Sequence, residues 1–179
     1  MQTIETLIPT TIDKENLNYN YQPLLTSKLD NLESDFDQSI INEIVLWKVN
    51  RYAEIDLETL SLINRIKKTD KYLDLELTKA ILQKLLCKEQ KGVRLAMAST
   101  ILRFKNPHIY QIIDQRVFRF LFGKELESTE TDISKQIKTY LDYLIKLNEV
   151  CRQHNIELAD ADRIFYTMDK KYNTGINLK

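Results

Sequence analysis

The chain has 179 residues, with 26 Lys+Arg against 26 Asp+Glu, so its net charge is zero, and it holds only 3 Gly, 3 Pro and 2 Cys. That length allows one domain, or two small ones, with a real core, and a composition poor in Gly and Pro but rich in Leu, Ile, Lys and Glu points to an all-α protein. No apolar run is long enough to span a bilayer, the opening residues do not read as a signal peptide, and Cys87 and Cys151 alone build no disulfide framework; no membrane partner and a cytoplasmic location are expected.

In chain order, residues 1–32 are rich in Thr, Asn and Tyr, with Pro9 and Pro23, and read as an extended N-terminal arm with one short helix after Asp13. Residues 33–179 read as one helical domain. From Asp35 to Tyr52 the set Phe36, Ile40, Ile44, Trp47 and Tyr52 marks an amphipathic helix, with Trp47 packed and Lys48 and Arg51 on its surface. Asp56 caps the next helix, carrying Leu57, Leu60, Ile63 and Ile66, and Asp74 caps another with Leu77, Ile81 and Leu85. After a central stretch taken up below, Glu125 to Thr131 is a polar loop. Asp132 then starts a long helix bearing Ile133, Ile137, Tyr140, Leu144 and Leu147 and ending near His154. A last helix from Asp162 to Lys171 carries Ile164, Phe165 and Met168 ahead of a loose tail. His108 and His154 have no partners at metal or triad spacing and read as surface residues; no metal and no cofactor are expected.

The stretch from Lys88 to Lys124 differs from its surroundings. Lys88, Lys91, Arg94, Arg103, Lys105, Arg116, Arg119 and Lys124 face only Glu89 and Asp114, so a segment of net charge +6 sits in a remainder of −6. Gly92 supplies a tight turn between two helices. The second of these buries Val93, Ala96/Met97, Thr100/Ile101 and Phe104, and stops at Asn106-Pro107. Ile109 to Ile113 is an apolar connector. Asp114 stands at the N-cap position of a helix over residues 114–122, and Gly123 ends it.

These residues resemble the helix-hairpin-helix and catalytic-aspartate region of the HhH-GPD DNA glycosylase superfamily. Gly92-Val93 matches the G-V of the family hairpin, which here spans about 80–104. Ala98 matches its alanine, Ile101-Leu102 its apolar pair, and Ile113-Asp114 with Val117 and Arg119 its aspartate motif. In lyase-active members a lysine stands eighteen residues before the aspartate; here that register falls on Ala96 without a gap. The departures are Lys91 for the hairpin proline, Arg94 for its second glycine, Ala96 for the lysine, and no cysteine cluster for an iron–sulfur centre. The resemblance implies duplex DNA as a weak, largely sequence-independent partner, bound through Lys91, Gly92, Val93, Arg94 and Arg116. It implies Asp114 as catalytic carboxylate of a monofunctional DNA N-glycosylase, an enzyme without Schiff-base chemistry.

Plainer readings stand beside this one. Asp114 serves as a helix cap in any case, and Gly92 suits any helix–helix turn. Tyr110, Phe118, Phe120 and Phe122 read as packing before they read as base-stacking residues. A non-catalytic DNA-binding module and an all-α protein-interaction domain therefore remain alternatives. The sharper reading expects Asp114 to line a cleft near the Gly92 turn.

Overall fold

Among the described residues, five helices begin at an aspartate whose side chain accepts a backbone N–H of the first turn: Asp37, Asp56, Asp74, Asp114 and Asp132. An ionised carboxylate there satisfies otherwise unpaired donors and faces the positive end of the helix dipole. A computed structural model describes residues 22–33, 35–50, 52–88, 90, 92–127 and 131–176. Among them are eight α-helices and no strand: α1 (Pro23–Asp30), α2 (Gln38–Lys48), α3 (Leu57–Arg65), α4 (Leu75–Leu86), α5 (Leu95–Lys105), α6 (Gln115–Phe122), α7 (Ile133–His154) and α8 (Ala161–Tyr172), the last preceded by a 3-10 turn at Leu158–Asp160. The all-α expectation holds for the described residues, none of whose helices is long and apolar enough to cross a membrane.

By its contacts the chain divides into two units, Met1–Tyr52 and Ala53–Lys179. In the first, α1 packs on α2. Pro23 at the start of α1 presets φ and gives up a donor that the helix would leave unpaired, so part of the stretch read as an extended arm is helical. The short helix expected after Asp13 lies outside the described residues. Leu25 is buried, Trp47 is half-buried with its indole N–H donating to Thr26 Oγ1 at 2.8 Å, and Lys28 pairs with Glu43 at 2.6 Å. α2 is shorter than its apolar pattern suggested, and Phe36 stands exposed ahead of its Asp37 cap.

The second unit has one core, formed by α3, α4, α5, α6, α7 and α8. Ile81, Leu82 and Leu85 of α4 meet Leu102 of α5 and Tyr140, Leu144 and Leu147 of α7 at its centre. Here α5 corrects the sequence reading. Its buried face is Ala98, Ser99, Leu102 and Arg103, whereas Ala96, Met97 and Phe104 are exposed, Phe104 at 63%. The small Ala98 lets α5 sit close to its neighbours, and the larger apolar residues are displaced to the rim. His108 and His154 are exposed, as read, while Tyr110 and Phe118 are buried and Phe118 stacks on Phe122 at 4.4 Å.

Candidate nucleic-acid interface

The turn between α4 and α5 is built from its first residues upward. Gln90 folds inward, nearly buried, and clips the turn to the start of α3. Its amide nitrogen donates to the Asp56 carboxylate and its oxygen accepts Asp56 N–H at 3.3 Å. Hydrogen bonds from the Thr59 backbone and hydroxyl, against the cost of burial and with help from Gln90, hold the Asp56 carboxyl below its usual range. Gly92 then takes φ 75°, a left-handed conformation that a side chain would oppose. Val93 is buried, which leaves its backbone and not its side chain for an outside partner. Arg94 is exposed in the N-cap position of α5 without a side-chain cap bond, and the first turn closes through Ala98 N–H to Arg94 O at 2.8 Å. Lys91, expected to add charge here, lies outside the described residues.

The connector from Asn106 to Asp114 is irregular backbone running through the interior. Unpaired polar groups there would cost roughly 1–3 kcal/mol each. Buried side chains meet several of the backbone groups, while the buried Gln111 Oε1 has no partner among the described residues. Asn106 Nδ2 donates to Lys67 O and Asp70 O at 2.8 and 3.0 Å, and its Oδ1 accepts His108 N–H at 3.0 Å. Tyr140 donates to Gln111 O at 3.0 Å, Tyr143 to Ile112 O at 2.6 Å, and Ile113 N–H donates to Ser99 Oγ at 3.1 Å. Burial first, then the neighbouring Tyr140, Asp162 and Asp114, pushes the Tyr143 phenol well above its usual range, so it stays protonated and donating. Ser99 in turn donates to Ala96 O at 2.8 Å. One hydroxyl therefore ties α5 to the residue before Asp114, its other bond running back to Ala96 O within the same helix.

Asp114 itself is half-buried at the head of α6. Its Oδ1 accepts Arg116 N–H at 2.7 Å and Val117 N–H at 3.4 Å. Asn106→Ala tests the support beneath it. Two carbonyls and one N–H would lose a partly buried partner, so a loss of roughly 1–3 kcal/mol is expected by urea unfolding. A loss below about 0.5 kcal/mol, the size of an ordinary surface change, would mean that water replaces the amide and that the connector is not held in this way.

The basic stretch is less basic at the surface than its composition. Arg119 is buried and bidentate to Asp169, with Nε to Oδ1 at 3.0 Å and Nη2 to Oδ2 at 2.7 Å. Arg116 reaches the same carboxylate at 3.3 Å and lies over the Tyr166 ring, so it is partly committed to α8. Arg103 is buried, donates to Ala159 O at 2.9 Å and faces Asp162 at 3.8 Å. Lys88, Arg94 and Lys124 remain exposed.

Two of the clefts on the second unit are lined by described residues that do not include Asp114. The smaller, about 400 Å³, runs from Leu95 at the start of α5 past Phe118 of α6 to Lys135, Gln136 and Thr139 of α7. It adjoins the hairpin and α6 without Asp114 in its lining, and Asp114 Oδ1 is turned onto the amides that begin α6. Sequence reading missed Ser99, Asn106, Tyr143 and Asp169. Tyr143 had a signal, three residues after Tyr140 on the core face of α7, and so did Asp169, a carboxylate four residues after Phe165 on the inner face of α8. No family model, curated protein or solved structure matches the chain.

Proposed function

We propose that this chain binds duplex DNA through the α4–α5 hairpin and acts as, or derives from, a monofunctional DNA N-glycosylase. The Ser99 bond supports the reading, because it ties α5, the helix that carries Ala96, to the residue before Asp114. Backbone N–H groups at Gly92 and the start of α5 suit a phosphate and read no base, and Arg94 with Lys91 adds the attraction that salt screens. A base flipped from the stack would leave its sugar near Asp114, whose carboxylate stabilises oxocarbenium-like charge or orients water. Ala96 offers no amine, so the product is a free base and an abasic site on an intact strand.

A second reading is a hairpin DNA-binding module without catalysis, favoured by the cap bonds that already occupy Asp114 Oδ1. Oligonucleotides with single alkylated, oxidised or deaminated bases, read with and without alkali, separate the two; no release from any of them supports the module. For binding, Lys91→Glu with Arg94→Glu should weaken duplex affinity about 100-fold and lower the slope of log affinity on log salt by about 2. Affinity unchanged in that double variant would remove the hairpin as the binding surface. Arg116→Ala should matter less, since its guanidinium is shared with Asp169.

A further inference from the structure

The larger cleft, about 690 Å³, is an open groove along one face of α7. Leu141, Leu144, Ile145, Asn148 and Arg152 follow one another at helical spacing on its floor, a run of about 16 Å. The opposite wall is the loop between α3 and α4, with Lys71, Tyr72, Leu73 and Leu75. Soluble surfaces rarely leave so many large apolar groups together: Tyr72 is 87% exposed and Ile145 68%, with Leu73 and Leu75 also open to solvent. The wall is fixed in place. Asn106 holds Lys67 O and Asp70 O, Asp70 accepts Lys67 N–H at 2.8 Å, and Asp74 caps α4 directly behind Leu73.

The charge at the rim that lacks an ion-pair partner among the described residues is positive. Glu149, the acidic residue of the lining, is met by Lys146 of its own helix at 3.2 Å and by Gln153 at 3.4 Å. Lys71 and Arg152 line the groove from opposite walls and enter no ion pair among the described residues; His108 is exposed beside them. A floor apolar at Leu141, Leu144 and Ile145, faced by Tyr72, Leu73 and Leu75 and bearing Lys71 and Arg152 without ion-pair partners among the described residues, has the form and charge of a receptor for an acidic helix. From these features we infer that the α7 groove docks an acidic amphipathic helix of a partner protein, its apolar face on Leu141 and Ile145 and its carboxylates toward Lys71 and Arg152. The inference does not rest on DNA binding. His108 and Ile109 follow the C-terminal end of α5, whereas the hairpin lies at its N-terminal end, about 16 Å away along an eleven-residue helix.

The test uses the full chain and a fluorescent peptide about four helical turns long, with Leu at helical spacing and Glu on the flanks, beside a counterpart with Lys for Glu. By anisotropy the acidic peptide should bind at least tenfold tighter than the basic one, and more weakly as salt rises. Ile145→Glu should reduce that binding at least tenfold, and Lys71→Glu with Arg152→Glu should reverse the charge preference. All three residues are exposed, so circular dichroism of the variants should be unchanged. Equal affinity for the two peptides, or binding indifferent to Ile145→Glu, would overturn the proposal. Sedimentation showing a dimer that Ile145→Glu dissolves would assign the face to a second copy instead. Saturable dodecanoate binding without peptide binding would assign it to a small amphiphile. Duplex DNA affinity, measured on the same variants, should not change; a wild-type protein that binds peptide but no DNA would fail the hairpin reading and leave this one standing.

Discussion

Asp169→Ala is expected to destabilise the second unit by roughly 3–5 kcal/mol, because it leaves a buried guanidinium without its counter-ion. Asp169 has no exposed surface and accepts from four nitrogens: Arg119 Nε and Nη2, Arg116 Nη1, and Asn173 Nδ2 at 2.6 Å. Burial by itself would raise its carboxyl, but the bonds from Arg119, Asn173 and Arg116 outweigh it and hold the group below the usual 3.8. A carboxyl depressed in the folded state contributes stability that is complete above its unfolded value and is lost as pH falls through the folded one. The contribution should therefore be present at neutral pH and disappear below about pH 4. Asp169→Asn, which cannot titrate, should be less stable than wild type at neutral pH and should flatten that acid limb. Urea unfolding across the acid range reads both effects. A loss under about 1 kcal/mol for the alanine variant would mean that solvent reaches Arg119 and that the cluster is not a buried one. Replacing Asp169 by Leu together with Arg119 by Met should restore much of the loss, since two matched apolar groups leave no charge behind.

The contrast between Asp114 and Asp169 shows what a sequence displays and what it hides. A cap acts over three residues, so the starts of α3, α4, α6 and α7 could be read from Asp56, Asp74, Asp114 and Asp132. Gly92 and Gly123 announced left-handed turns for the same local reason. Arg119, by contrast, finds Asp169 fifty residues on, and nothing near either residue marks the pair. Counting Arg103 and Arg119 into the +6 of the basic stretch followed from that blindness, since a sequence carries the sign of a residue but not its partner. The face of α5 was misjudged because Met97 and Phe104 look like core and Ser99 and Arg103 do not. The fold inverts that choice: Ser99 and Arg103 go inward to serve Ile113 N–H and Ala159 O. The candidate site was legible as positions in register, Ala96 and Asp114, whereas the Tyr140, Tyr143 and Ser99 bonds that hold them exist only in three dimensions.

If the chain is the glycosylase proposed above, Asp114→Asn is the variant with the largest expected effect on function: base release should fall to background while duplex binding stays the same or rises slightly. The amide keeps the size and shape of the carboxylate, and asparagine caps helices about as well as aspartate, so α6 should begin where it does now. On the glycosylase reading proposed above, what it removes is the negative charge that would stabilise a sugar cation or accept a proton from water. Near phosphates that loss of charge favours binding, which is the basis for the unchanged or tighter complex. Asp114→Ala separates capping from chemistry, because it adds about 1 kcal/mol of instability from the uncapped Arg116 and Val117 amides to the same loss of release. If release survives in the asparagine variant, the carboxylate is only a cap. Ala96 supplies the second arm. Borohydride should trap no covalent complex with the wild-type protein, and alkali should be needed to cut the strand after base loss. A trapped adduct would place the nucleophile on another amine and would break the link between the Ala96 register and the chemistry.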